Sequence, residues 1–215
     1  MNITKLYSSH TSPFVRRVHL AFRRLGQVYD YEAVGNLFPP SQHFLDINPL
    51  GLIPALAIPN NEILVDSTEI LCWMDQTYSG VWPKEMHATW MDRRLSALSA
   101  GVMTVAVSWR LENIRSDCRT KDQIDRENTI LRTLDKIIQT EGFVKWEQRH
   151  QKLKENEDPF RLCYQGTFDL AIALDYLLFR LPHLDWQKPF PILREFLDLF
   201  GENKSFEETD PRKNV

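Results

Sequence analysis

Three hydroxyl side chains precede the first predicted helix of this sequence: Ser9, Thr11 and Ser12. Ser12 is followed by Pro13, and the pair is typical of a helix start, because serine is a preferred N-cap and proline has no N–H to lose in the first turn. A hydroxyl at the positive end of a helix can also stabilise an anion through a hydrogen bond. The pattern therefore indicates either a simple cap or an anion-stabilising group, with Ser12 as the first candidate and the other two hydroxyls as alternatives.

A second polar cluster, Asp66-Ser67-Thr68-Glu69, begins a later helix pattern. Its spacing matches a capping box, in which the first and fourth side chains bond to the backbone of the first turn. The free N–H groups of such a helix start also bind carboxylates. Between the two clusters stands Ile53-Pro54, where a cis bond costs only about 0.5–1 kcal/mol, although an isolated Ile-Pro is usually an ordinary trans bond.

The elements that position these residues follow the order β-α-β-β-β-α. Strand patterns lie at 3–8, 28–34, 55–58 and 63–65, and helix patterns run from Ser12 to Gly26 and from Asp66 to about Tyr78. The first β-α-β unit predicts parallel strands with a right-handed crossover, and the last two strands predict a hairpin. The segment 36–52, rich in proline and asparagine, has the character of a loop.

The breaker cluster from Ser79 to Pro83 predicts a domain boundary. We expect a first domain at 1–79, a linker at about 80–86 and an all-helical domain at 87–215. The helical domain shows no strand pattern, and its apolar periodicity marks helices near 87–113, 121–140, 143–155, 167–181 and 189–200. The tail after Lys204 is polar and is expected to follow the surface.

Composition excludes several classes of function. The 215 residues are 43% hydrophobic and 26% charged, with a formal net charge of −3. This balance is typical of a globular protein with a substantial core, and it gives no basic patch for nucleic acid or an anionic membrane. The longest apolar runs are too short to span a bilayer. The cysteines (Cys72, Cys118 and Cys163) form no CxxC pair or metal-ligand cluster, and no signal-peptide pattern begins the chain, so we expect a cytoplasmic protein without a metal.

Five segments in register resemble one superfamily, the glutathione S-transferases, and especially its bacterial serine-type members. The segments are LYSSHTSPFVRRVHLAF at 6–22, NPLGLIPAL at 48–56, DSTEI at 66–70, GTFDLAIALDYLLFRLP at 166–182 and ENKSFEETDP at 202–211. They span both predicted domains in the family's order. The resemblance implies a thioredoxin-like N-terminal domain, a helical-bundle C-terminal domain, and a homodimer that uses glutathione as co-substrate.

The resemblance also assigns roles to the polar clusters. Ser12 would activate the glutathione thiol, whose pKa near ~8.5 leaves little thiolate at neutral pH. Ile53 and Pro54 resemble the cis-proline site, where backbone groups pair with the cysteinyl part of glutathione like an added strand. Asp66 and Ser67 resemble the pair that binds the γ-glutamyl end of glutathione. Asp66 would accept a hydrogen bond from the γ-glutamyl ammonium, and Ser67 would donate one to the γ-glutamyl carboxylate.

Two positions depart from the family pattern. Many relatives have lysine or glutamine before the Ile-Pro pair, where Leu52 can offer glutathione only its backbone; this predicts either weaker binding of glutathione or compensation by a residue such as His43. In the second domain Asp169 resembles a buried helix-capping aspartate. The family often has serine or threonine three residues earlier, where this chain has Gly166, a weaker cap.

The acceptor of the thiol is not identified by these motifs. In the family it binds between the domains, which points to the helix at 87–113 and to Met103, Val107 and Arg110 as lining residues; apolar positions on a helix are more often simple core. We expect a transferase whose glutathione thiolate attacks a hydrophobic electrophile or a peroxide. A non-catalytic binding or regulatory protein of the same fold is the alternative. A thiol-transfer enzyme would need a cysteine where Ser12 stands.

Overall fold

The computed structural model describes residues 4–60, 62–115, 120–152, 160 and 163–214. The chain forms two compact units. Unit 1 contains residues 1–81 together with 204–215, and unit 2 contains residues 82–203. The C-terminal residues, which the sequence had suggested would belong to the helical domain, thus join unit 1. Within the described ranges, none of the helices combines the length and the apolar character that a membrane span requires.

Unit 1 is built on a four-stranded mixed sheet with the strand order β2-β1-β3-β4. The strands are β1 (Lys5–Ser8), β2 (Asp30–Ala33), β3 (Ala55–Ala57) and β4 (Ile63–Val65). As predicted, β1 and β2 are parallel and β3 and β4 form an antiparallel hairpin. The parallel pair is joined by helix α1 (Pro13–Arg24), and the hairpin leads into helix α3 (Ser67–Tyr78).

A short helix that the sequence did not predict, α2 (Gln42–Ile47), lies in the segment expected to be a loop. Ser41 caps it by accepting a hydrogen bond from the N–H of Phe44 at 3.2 Å. The helix has six residues and buries only Phe44, so it is too short to show an apolar period in the sequence.

The C-terminal segment, predicted to follow the surface, packs against α1. Helix α9 (Lys204–Glu208) places Phe206 beside Arg16, whose guanidinium carbon lies 4.0 Å from the ring centroid. Arg16 also donates to the Phe206 carbonyl at 2.9 Å and to the Thr209 hydroxyl at 3.2 Å, and Arg23 pairs with Glu208. These contacts hold α1, the helix that begins after Ser12, against the C-terminal segment.

His19 of α1 lies among aromatic rings at the β2 side of the sheet. Its ring is 5.5 Å from that of Tyr29 and 5.9 Å from that of Tyr31. Burial lowers the pKa of His19 to about 4, and the neighbouring positive charge of Arg23 acts in the same direction. The imidazole is therefore neutral in the folded protein at neutral pH.

We expect the free energy of unfolding to fall as the pH drops from 6.5 toward 4, because the unfolded state then binds a proton that folded His19 does not. The His19 contribution amounts to about 2 kcal/mol between about pH 7 and about pH 5. Denaturant unfolding of His19→Phe should show a weaker pH dependence than the wild type. His43→Gln, at a side chain that is 79% exposed, is the control. Equal pH dependence in all three proteins would contradict this assignment.

Unit 2 is helical throughout its described part. Its helices are α4 (Met86–Arg115), α5 (Lys121–Ile138), α6 (Glu141–His150), α7 (Gln165–Arg180) and α8 (Pro191–Phe200). Every residue of α7 from Gln165 to Leu177 is buried, so this helix is the centre of the unit. The second half of the helix predicted at 143–155 lies partly outside the described residues.

Helices α4 and α7 run side by side and are joined by buried hydrogen bonds. Asp169 is completely buried and accepts hydrogen bonds from Ser96 of α4 at 2.6 Å and from Gln165 at 2.8 Å. The start of α7 has no side-chain cap of its own; the N–H of Gly166 instead donates to the Asp92 carboxylate at 2.9 Å. Gly166 therefore does not act as a weaker cap of α7, because the capping group is supplied by Asp92 of the neighbouring helix α4.

Only glycine fits at this contact. A Cβ at position 166 would lie 2.3 Å from the Asp92 carbonyl oxygen and 2.8 Å from its carboxylate. The absence of a side chain lets α4 and α7 approach closely enough for the carboxylate to reach the α7 N-terminus.

We expect Gly166→Ala to lower the free energy of unfolding by about 1–3 kcal/mol, because α7 must move away from α4. Gly101→Ala is the matched control: this exposed glycine of the same long helix α4 has open space around it. Alanine there should stabilise the protein by roughly 0.5–1 kcal/mol through helix propensity. Denaturant unfolding measures both, and a Gly166→Ala protein as stable as the wild type would contradict the close contact.

Candidate functional site

Ser12 is the N-cap of α1. Its hydroxyl oxygen accepts a hydrogen bond from the N–H of Val15 at 3.3 Å, and its own N–H donates to the Ser9 carbonyl at 3.2 Å. Because the hydroxyl is used as an acceptor, its hydrogen remains available to a ligand atom. The side chain is half-buried at the positive end of the helix.

The alternative hydroxyls are arranged differently. The side-chain oxygens of Ser9 and Thr11 lie 3.4 Å apart and hydrogen-bond to each other. His10 points outward between them and stacks its ring on that of Tyr31 at 4.6 Å. Of the three hydroxyls, only the Ser12 oxygen lies on the helix N-terminus itself.

The start of α3 is the second element of the site. Asp66 caps it, with a carboxylate oxygen accepting from the N–H of Thr68 at 2.7 Å. The reciprocal bond from Glu69 that a full capping box would add is absent from the described contacts of this helix. Asp66 has φ 71° and ψ 130°, a backbone conformation that costs a non-glycine residue about 1–3 kcal/mol and that is concentrated at ligand clamps.

Ser67 is held from behind by a buried arginine. Arg17 of α1 is only 1% exposed, and its Nη1 donates to the Ser67 hydroxyl at 3.0 Å and to the Thr68 hydroxyl at 3.3 Å. The Ser67 oxygen thus accepts from a cation, which leaves its own hydrogen free to donate. A helix N-terminus and a buried positive charge together make this end of α3 favourable for a carboxylate.

The third element is the turn before β3. Asn48 is buried and holds the turn through both ends of its amide: it accepts from the N–H of Leu50 at 3.1 Å and donates to the Leu52 carbonyl at 2.7 Å. The Ile53–Pro54 peptide bond that follows is cis. The backbone groups of Ile53 make no hydrogen bond within the described chain, so they are open to an extended ligand.

Strand register brings these three elements to one end of the sheet. Tyr7 of β1 pairs with Ala55 of β3, and Ala55 pairs with Val65 of β4. The Ser9–Ser12 turn follows β1, the Ile53–Pro54 bond precedes β3, and the α3 start follows β4. In antiparallel neighbours these positions are adjacent.

Leu52 and His43 are exposed, and the candidate lining residues of unit 2 differ in burial. The Leu52 side chain is 61% exposed and contributes no polar atom, and its carbonyl is already used by Asn48. His43 of α2 is turned toward Glu32, with 3.9 Å between its Nε2 and the carboxylate. In unit 2, Met103 is fully buried in α4, whereas Val107 and Arg110 are half-buried on the same helix.

Arg17 and Asn48 are candidate site residues that the sequence did not indicate. Arg17 occupies a position on the apolar face of α1, between Phe14 and Ala21 at helical spacing, and an arginine at such a position is the signal that was available. Asn48 had no comparable signal, because asparagine is common in loops and only the folded turn shows its two backbone contacts. Within the described ranges no group of three or more histidine, cysteine, aspartate or glutamate side chains could hold a metal ion.

Known proteins resemble the chain in sequence and structure. The glutathione S-transferase N-terminal domain family matches residues 6–82. The uncharacterized GST-like protein YibF of Escherichia coli is 26% identical over 212 residues, 97% of this chain and 99% of that protein. A glutathione transferase family member from Pseudomonas fluorescens, solved with bound glutathione, is 27% identical with a TM-score of 0.83 over 97% of this chain and 98% of that one. A glutathione S-transferase from Methylobacillus flagellatus, also solved with glutathione, is 28% identical with a TM-score of 0.78 over 97% and 99%.

The structural likeness covers both units, and it confirms the predicted fold class of a thioredoxin-like domain followed by a helical domain. The family match begins within β1 and includes the α1 start, the Ile53–Pro54 bond and the α3 start. These matches confirm the predicted resemblance of the chain to the glutathione S-transferase superfamily.

Proposed function

We propose that the protein is a glutathione transferase that binds glutathione in unit 1 and activates its thiol through Ser12. The observation that carries the proposal is the hydrogen-bond state of two serines at helix starts. The Ser12 oxygen accepts from a backbone N–H, and the Ser67 oxygen accepts from Arg17. Each keeps a hydrogen to donate, as a thiolate and a carboxylate require.

The three elements fit three parts of the glutathione molecule. The open backbone of Ile53 would pair with the cysteinyl residue in the manner of an added strand. The hydroxyl and N–H of Ser67 would bind the γ-glutamyl carboxylate, and the second carboxylate oxygen of Asp66 would accept from the ammonium. The sulfur would then lie toward Ser12 at the α1 start. Two solved relatives bind glutathione, which supports this ligand.

Catalysis then consists of thiolate stabilisation followed by attack on an acceptor. The Ser12 hydroxyl and the positive end of α1 favour the anion over the thiol, and each pKa unit gained corresponds to about 1.4 kcal/mol. The thiolate attacks an electrophilic carbon or a peroxide of an acceptor bound near Met103, Val107 and Arg110 of α4. We further propose a cytoplasmic homodimer, on the resemblance and the cysteine pattern.

A non-catalytic binding protein is the second candidate, and the exposed apolar Leu52 side chain favours it. Relatives with a polar side chain there can contact the glycyl carboxylate, whereas this chain offers no such donor at that position. Calorimetric titration with glutathione distinguishes the two, because a transferase must bind glutathione and a protein without measurable affinity would be non-catalytic.

We expect Ser12→Ala to lower kcat by about ten-fold or more, because a hydrogen bond to a charged group contributes about 1.5–3 kcal/mol. The glutathione KM should change little, since the sulfur is a small part of the contact surface. The direct readout is the pKa of the bound thiol, which is measured by following the ultraviolet absorbance of the thiolate as the pH is changed. This pKa should rise in the variant.

Ser12→Thr retains the hydroxyl and should retain the low thiol pKa, which separates the chemistry from the loss of an N-cap. Thr11→Val and Ser9→Ala remove the neighbouring hydroxyls and serve as matched controls. If either of these raises the thiol pKa while Ser12→Ala does not, the activating residue is not Ser12.

We expect Arg17→Met to raise the glutathione KM by about ten-fold with little change in kcat, because Ser67 loses the cation that orients it. A glutathione analogue that lacks the γ-glutamyl α-carboxylate should bind the variant and the wild type equally. Ser67→Ala should reproduce this pattern, and Arg24→Met, which removes a cation from the same helix, should leave it unchanged. If Arg17→Met weakens the binding of glutathione and of the analogue equally, Arg17 has only a structural role.

A further inference from the structure

Two arginines of unit 2 lie at the same end of the packed helix pair α4 and α7. The two helices run in the same direction: Ser96 contacts Asp169, and further along Trp109 stacks on His183 with 4.8 Å between ring centroids. Arg110 directly follows Trp109 on α4, and Arg180 is the last residue of α7. The register therefore brings both guanidinium groups to the same end of the helix pair.

Neither guanidinium has an ion-pair partner among the residues that the structure describes. The neighbouring carboxylates serve other groups: Glu112 pairs with Arg126 at 3.5 Å, and Glu127 accepts from the Trp109 indole at 2.9 Å and contacts His183 at 3.0 Å. The described contacts of Glu112 and Glu127 thus include neither of the two cations.

The surroundings make this arrangement unfavourable without a ligand. Arg180 is half-buried, and its guanidinium carbon lies 3.8 Å from the ring centroid of Phe179. Tyr176 is 6% exposed, with its ring edge-on to that of Phe179. Burial lowers the pKa of Arg180, and although Tyr176 opposes this, the positive charge of Arg110 adds to it. Partly buried like charges repel, and an anion between them removes the repulsion.

We infer that Arg110 and Arg180 form a binding site for the carboxylate of a small organic acid. Guanidinium groups bind carboxylates through paired N–H donors, which distinguishes this site from a simple positive surface. Val107 lies one helical turn before Arg110 on α4, on the same face of the helix. A ligand whose carboxylate binds Arg110 can therefore place an apolar body against Val107. That the ligand is the acceptor of the transferase rests on the proposed function; the carboxylate site itself does not.

Arg180 has a second possible role, because a cation in the last turn of a helix stabilises the helix dipole. That role accounts for one arginine at the end of α7. It does not account for a second cation, Arg110, at the same end of the neighbouring helix, since the positive charge of Arg110 makes the Arg180 charge less favourable.

The test measures equilibrium binding without glutathione. Calorimetric titrations compare dinitrobenzoate with its methyl ester, which differs only in the charge and size of one group. We expect the wild type to bind the acid more tightly. Arg110→Met and Arg180→Met should each weaken the acid by about ten-fold and leave the ester unchanged. Arg149→Met, at an exposed arginine of α6 in the same unit, should change neither.

Thermal unfolding provides the second readout. Removal of one of two mutually repelling cations should leave the melting temperature unchanged or raise it. A variant that melts lower and loses acid and ester equally has lost a structural contact, which would overturn the site. Preference of the wild type for the ester, or no binding of the acid, would also overturn it.

Turnover separates this inference from the proposed function. With glutathione, chlorodinitrobenzoate and its methyl ester offer the same reactive carbon, and the preference for the acid should fall in Arg110→Met and Arg180→Met. An enzyme that turns over neither compound would refute the proposed activity, while the glutathione-free titrations would still decide the carboxylate site. Turnover with a preference that the variants do not alter would overturn the site alone.

Discussion

The pair of hydrogen bonds from buried Arg17 to the hydroxyls of Ser67 and Thr68 is the interaction on which the candidate site depends. It joins the middle of α1 to the first turn of α3, so one side chain links the two helices whose starts form the candidate site. A charged group enclosed in this way has to be hydrogen-bonded to be tolerated. The same bonds orient Ser67 and place positive charge behind it.

Unit 2 uses the same device for a different purpose. The Asp92 carboxylate caps α7 across the interface with α4, and the Asp169 carboxylate accepts a second buried hydrogen bond from the Ser96 hydroxyl. The close approach requires glycine at 166. In both units a charged side chain of one helix hydrogen-bonds to the first turn of another, to side-chain hydroxyls in unit 1 and to a backbone N–H in unit 2, so helix positions are fixed by directional bonds as well as by apolar packing.

Much of the fold could be predicted because it is encoded locally. Ser12-Pro13 and Asp66-Ser67 are helix starts by short-range capping chemistry, and both helices begin there. Helix α2 could not be predicted, since six residues with one buried side chain give no period. The joining of residues 204–215 to unit 1 was likewise hidden, because it depends on contacts between Arg16 and residues about 190 positions away.

The sequence by itself determined the order of strands and helices and the family resemblance, and it supplied the candidate hydroxyl, carboxylate and proline positions from which the glutathione site is proposed. Capping, periodicity and turn chemistry act over a few residues, so these features are legible without the fold. Only the tertiary structure decided which oxygen accepts and which hydrogen stays free at Ser12 and Ser67, that Arg17 stands behind the site, and that Arg110 and Arg180 share one region. These depend on distances between helices that no local pattern specifies.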